Sequence, residues 1–156
     1  MPTKSKIVEI ILTVFVAFVF VQSLFFKFAG APETVHIFGT LDRWAAGLTG
    51  IEGLFNPGGI FSANVVGSTE LVASLLLLAG LILKKPILQL FGALLGLGVI
   101  AGAIVFHLFT PLGVVIENPE LGVESDGGTL FVMAVAVFVS CAVLSWRKKS
   151  ALPFAR

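Results

Sequence analysis

Apolar residues run almost without interruption through four stretches of the chain: Ile7 to Phe28, Ile60 to Leu83, Ile87 to Thr110 and Thr129 to Trp146. Each stretch is bounded by charge or by Pro and Gly. A helix rises about 1.5 Å per residue and the hydrocarbon core of a bilayer is roughly 30 Å thick, so about 20 apolar residues suffice to cross it. The pattern predicts four membrane-spanning helices. Between the first two, from Pro32 to Leu48, the period changes. Ile37, Phe38, Leu41, Trp44, Ala45 and Leu48 fall on one helical face, and His36, Thr40, Arg43 and Gly47 on the other. Pro32 suits the first helical position and Glu33 the positive end of the dipole. This spacing predicts an amphipathic helix over 32–48, either lying at the membrane interface with Trp44 at headgroup depth or packed as a lid over the end of the bundle. Asn56-Pro57-Gly58-Gly59 then breaks the chain before the second span. The expected fold is an all-α membrane protein, a four-transmembrane-helix bundle with an external amphipathic helix between spans one and two, forming one integral membrane domain over 1–156.

Composition strengthens this picture. The chain is 57% hydrophobic and 12% charged, and its mean hydropathy of +1.06 lies well outside the range of a soluble domain. A net charge of +1, with no basic stripe carrying interleaved aromatics, argues against a nucleic-acid partner. Cys141 has no second cysteine to pair with, which excludes an intramolecular disulfide or a CxxC redox pair. Lys4 and Lys6 before the first span and Ala29-Gly30-Ala31 after it resemble a secretory leader, but the apolar stretch is longer than a leader requires and Lys27 precedes the small residues, so the segment reads as an uncleaved span.

Charge also orients the bundle. Lys4 and Lys6, Lys84 and Lys85, and Arg147, Lys148 and Lys149 fall at alternate ends of successive spans, which the positive-inside rule places together in the cytoplasm with both termini. The connection with Glu117, Glu120, Glu124 and Asp126 has no Lys or Arg and belongs outside, as does the long connection with Glu33, Asp42 and Glu52. The acidic connection from Glu117 to Asp126 reads as solvated, and Glu9 beside Lys6 reads as interfacial. The expected location is a bacterial cytoplasmic membrane, with the lipid bilayer as the first partner.

Within the bundle, Gly92/Gly96 and Gly98/Gly102 are small-xxx-small pairs that predict close helix packing by span three, and Lys84-Lys85-Pro86 leaves room only for an antiparallel hairpin of spans two and three. Glu70 stands apart: about ten residues into span two, it sits roughly 15 Å deep, near the midplane. An acidic side chain there costs about 2.5–3.5 kcal/mol, enough to demand burial in the bundle, a partner or a proton. Ala63, Gly67 and Ser74 share its face. Gln22 and Ser23, Lys27, Asn64 and His107 lie in the same depth range, so Glu70, Gln22, Asn64, His107, Lys27 and Gly67 are the candidate ligand-binding residues. They would line a polar cavity open to the outer face, with Lys27 as a counter-ion near its mouth. Gln22 and His107 are the favoured neighbours of Glu70. A lysine at a span's end also snorkels to the headgroups, and Glu70 as a plain hydrogen-bonding link between helices is the structural alternative. His107 and His36 lack the spacing of a metal or haem site, so no bound metal or haem is expected.

Two segments carry a family resemblance. Ser23-Leu24-Phe25-Phe26-Lys27-Phe28-Ala29-Gly30-Ala31-Pro32-Glu33, followed by Phe38-Gly39-Thr40-Leu41, resembles the DoxX family's lysine-containing closure of the first helix. Gly67-Ser68-Thr69-Glu70 before a leucine-rich run is similar to that family's glycine and glutamate in the second span. The matching positions are Lys27, Gly30, Pro32, Glu33, Gly67 and Glu70. The resemblance implies a small membrane subunit, in some members tied to quinone-coupled thiosulfate oxidation or oxidative-stress complexes, with partner redox proteins and a quinone as the molecule that would carry electrons. Three functions stay open on this reading: a subunit holding a quinone or lipid-like ligand near Glu70, a quinone-linked oxidoreductase subunit in which Glu70 and His107 exchange protons, and a small transporter that would act as a homo-oligomer.

Overall fold

A computed structural model describes residues 4–151. It contains α1 (Lys4–Ala29), α2 (Pro32–Thr49), α3 (Ala63–Ile82), α4 (Pro86–Phe109) and α5 (Thr129–Lys148), with short 3-10 turns at Pro119–Leu121 and Lys149–Ala151. Helices α1, α3, α4 and α5 are long and apolar enough to cross a membrane. The chain is an integral membrane protein built as a four-helix bundle, with α2 as a fifth helix between the first two spans.

The second span starts three residues later than its apolar run suggests. Ser62 caps α3, its Oγ accepting the Val65 N–H at 3.4 Å. Ile60 and Phe61 stay in the connection, where the Phe61 N–H bonds to the Leu54 carbonyl at 2.9 Å. Gly59 makes that fold-back possible, since a Cβ there would lie 2.2 Å from the Gly53 carbonyl oxygen.

Around the bundle, α1 packs on α3 and α5, and α4 packs on the same two helices from the other side. The shared core draws Val16 and Phe20 from α1, Ala73 and Leu77 from α3, Ala93 and Ile100 from α4, and Val137, Cys141 and Leu144 from α5. Beside the α3–α4 turn the two backbones touch. A Cβ on Gly80 would lie 2.5 Å from the Gln89 nitrogen, and one on Gly92 would lie 2.7 Å from the Leu77 nitrogen. Gly96 is less tight, facing the side chains of Phe20 and Cys141 at 3.0 and 3.1 Å. The second small pair behaves otherwise: Gly98 and Gly102 have nothing within 4 Å of the missing side chain. The expectation that they pack a neighbouring helix is thereby corrected, because both border an open cavity instead of a packed helix.

At one end of the bundle a second apolar cluster forms a cap. Leu41 and Ala45 of α2 join Phe55, Leu112, Ile116 and Val123 from the two connections, with Trp44 and Phe106 packed against them. Of the two roles open to α2, its apolar face takes that of the lid. The Trp44 and Phe106 rings meet edge-on with centroids 6.3 Å apart. Two carboxylates fasten this cap, one of them in the acidic connection expected to be solvated. Asp42 is buried and accepts the N–H groups of Gly53 and Phe55 at 3.3 and 2.9 Å. Asp126 accepts those of Ile116, Gly128 and Leu130 at 2.8 to 2.9 Å. Asn118 Nδ2 donates to His36 Nδ1 at 3.0 Å, tying the acidic connection to α2.

The opposite end gathers the basic residues. Lys148 pairs with Glu9 at 2.7 Å, and Arg147 donates to the Ser5 carbonyl at 2.8 Å. The start of α1 and the end of α5 therefore lie together with the α3–α4 turn. The outermost terminal residues, expected on the same side, lie outside the described residues. Just inside this end, buried Gln89 donates to buried Thr13 at 2.9 Å, linking α4 to α1.

Candidate functional site

Helix register decides what Glu70 can reach. With α3 beginning at Ala63, Glu70 is only about 10 Å along the helix from the capped end, shallower than the midplane position its apolar run suggests. Helix α1 runs antiparallel to α3 and ends at Ala29, which brings Lys27 and Ser23 to the same level. These two are four residues apart and so share a face. Lys27 Nζ lies 2.8 Å from Glu70 Oε2 and 3.1 Å from Oε1. It also donates to Ser23 Oγ at 3.0 Å, and Ser23 Oγ lies 2.7 Å from Glu70 Oε2. The Phe20 carbonyl, at 2.8 Å, is a second acceptor for the one Ser23 proton. Side-chain exposure is 16% for Lys27 and 6% for Glu70. Lys27 is therefore the direct partner of Glu70 and does not snorkel away.

This triad forms one wall of a cavity of about 630 Å³ in the capped half of the bundle. The remaining lining is mostly apolar: Phe20 of α1, Val66 of α3, Val99 and Ala103 of α4, and Met133 of α5, under a roof that includes Phe38, Phe55, Phe61 and Phe106. His107 lines the same cavity from α4. Its Nδ1 is 2.6 Å from the Gly113 carbonyl oxygen. A carbonyl only accepts, so Nδ1 carries the hydrogen, and in the neutral ring Nε2 is left as an acceptor. Phe131 packs edge-on against the imidazole.

The other candidates sit elsewhere. Gln22 is exposed, in a shallow groove between α1 and α3 with Val14, Phe18, Val21, Phe25 and Leu78. One residue before Ser23, its side chain is turned about 100° away around the helix. Asn64 is also exposed, on a surface groove with Ser68 and Val72. Gly67 is buried in the α1–α3 contact, where a Cβ would lie 2.9 Å from the Phe28 ring. The expected approach of Gln22 or His107 to Glu70 thus gives way to Ser23 and Lys27, and Gly67 keeps helices close instead of keeping space. The polar cavity becomes a mostly apolar one, with the triad on one wall and His107 on another. Spacing could have revealed Ser23 with Lys27; nothing local marks the roof aromatics, which come together only when the cap folds.

Outside the spans, the Asp126 carboxyl is held below its ordinary value of 3.8. Its burial works against the charge, but the N–H groups of Leu130, Ile116 and Gly128 and the neighbouring His107 outweigh that. Among the described residues no group of three or more His, Cys, Asp or Glu is placed to hold a metal ion. No protein-family model, curated protein or solved structure matches the chain.

Proposed function

We propose that this protein is a membrane subunit that holds a small, largely apolar molecule with one polar head, a quinone or lipid-like compound, in the cavity beside Glu70, and that it acts with partner proteins. The observation that carries this reading is that the Ser23–Lys27–Glu70 triad opens onto a mostly apolar cavity instead of being closed over by packing. A volume of about 630 Å³ falls within the usual range for small-ligand sites. Apolar walls supply binding energy, while a few convergent polar groups fix the head. The resemblance of the Lys27 and Glu70 segments to the DoxX family supports the same assignment, as does the charge pattern for a cytoplasmic-membrane protein with its basic end inside.

A second reading has an observation of its own. Glu70 and His107 line one cavity, and both can carry a proton. A bound quinone could exchange protons with them while a partner protein exchanges its electrons. Both readings need the cavity. The test is thermal unfolding of delipidated protein with and without an added short-chain quinone or extracted lipid. Stabilisation of the parent, and its loss in Gly102→Phe, is the expected result, because Gly102 lines the cavity with open space beside it. A parent that no quinone or lipid stabilises would refute the proposal.

A further inference from the structure

The α3–α4 hairpin is a fork. Near its turn the helices are clamped backbone to backbone at Gly80 and Gly92, whereas at Gly98 and Gly102 nothing stands within 4 Å. The gap between the tines is bordered by Val65 and Thr69 on α3 and by Leu95, Gly98 and Gly102 on α4, all of which line the cavity. Val65 is 46% exposed and Gly98 is exposed as well. The cavity wall is therefore also the outer surface of the bundle at that place. Gly98 lies about 16 Å along α4 from its capped end, within the apolar stretch that faces acyl chains. The water side is covered instead: the Phe55 ring stands 5.5 Å from Phe61 and 5.4 Å from Phe106.

At the outer surface the slot adjoins the groove that carries Asn64 and Ser68, while within it the Thr69 hydroxyl donates to the Val65 carbonyl at 2.8 Å. Inside the cavity His107 lines the wall from α4, and the triad stands at the deep end. There an ammonium and a carboxylate balance each other, so the triad offers hydrogen-bond donors and acceptors without surplus charge. A ligand bringing its own full charge would unbalance a poorly hydrated pair.

We infer that the cavity fills sideways from the bilayer through the slot between α3 and α4, and that its occupant is a single-chain amphiphile whose uncharged hydroxyl or carbonyl head meets Ser23, Lys27 and Glu70 while its chain lies in the slot. This rests on the cavity holding a ligand, and it adds the route and the head chemistry.

The experiment uses the full chain in lipid nanodiscs, with a long-chain primary alcohol bearing a mid-chain diazirine as probe. After photolysis, labelled peptides are mapped by mass spectrometry. Label is expected on α3 near Val65 and Thr69 and on α4 near Leu95 and Gly98. Excess 1-dodecanol should suppress it and dodecanoate should not. Gly98→Leu, which has room for its side chain, should remove it; Leu95→Trp is the second plug, and circular dichroism with thermal unfolding establishes that each variant is folded. Label confined to α2 and the connections, or unchanged in both folded plugged variants, overturns the lateral route. Equal competition by dodecanoate overturns the uncharged head. If short-chain quinone still stabilises the protein in either case, ligand binding in the cavity survives without the slot; if neither quinone nor lipid stabilises and no label appears, both ideas fall.

Discussion

A lysine and a glutamate paired at 2.8 Å with little exposure are worth more in combination than either is alone. Removing one member of a buried pair leaves the other charge uncompensated, whereas replacing both with apolar groups costs far less. Lys27→Met should therefore destabilise the protein by about 3 kcal/mol, the low end for breaking a buried pair because Lys27 keeps some exposure. Glu70→Leu should do the same, and the double variant should recover much of the loss. Reversible unfolding in mixed micelles checks this; additive effects would mean that the contact contributes nothing to folding. Glu70 was legible from sequence because an acid in an apolar span has to be accounted for. Lys27 was legible as a counter-ion near the cavity mouth, but its direct contact with Glu70 was not, because that depends on where α3 starts. The three residues that Ser62 leaves outside the helix move Glu70 up by most of a turn, from the expected midplane to the level of Lys27. Gln22 and Asn64 have the right depth and the wrong azimuth, which composition cannot report.

At the level of elements, the four spans, the amphipathic helix and the α3–α4 hairpin could all be read from periodicity and punctuation. What glycine does in each place could not. Gly92 and Gly98 look alike in sequence, yet one meets backbone at 2.7 Å and the other meets nothing. Gly92→Ala should cost about 1–3 kcal/mol through overpacking, while Gly98→Ala should be neutral or stabilise by up to about 1 kcal/mol through helix propensity. Parallel thermal unfolding of the two variants separates them. The cap makes a different prediction. The Asp126 carboxyl is below its ordinary 3.8 in the folded protein, so the unfolded chain binds the proton more readily. The stability Asp126 contributes is present above pH 3.8 and is lost as pH falls through its lower folded value. Asp126→Asn should lower the melting temperature at pH 6, and the difference from the parent should shrink as the pH falls below 3.8. A difference that stays constant over that range would show that the charge has no part in holding Ile116, Gly128 and Leu130.

For the whole molecule, the two ends are chemically opposite, and the membrane gives that difference a direction. The basic end is closed by side chains, with Lys148 on Glu9 and Arg147 on Ser5, and Gln89 joins Thr13 just inside it. The other end is closed by a folded cap with acidic connections, and the space the bundle leaves lies directly beneath that cap. An insertion that keeps Lys and Arg in the cytoplasm turns the cap outward. The Ser23–Lys27–Glu70 wall then sits in the outer half of the membrane, which puts the proposed ligand nearer to that side. Lys84 and Glu120 are exposed at opposite ends, and Cys141 is buried, so single cysteines can report the orientation. In intact cells, Glu120→Cys should react with an impermeant maleimide, and Lys84→Cys should react only after the membrane is opened. The reverse pattern would leave the bundle and its cavity unchanged but would turn the Glu70 wall toward the cytoplasmic leaflet, placing any partner that exchanges protons or electrons with its ligand on the inner face.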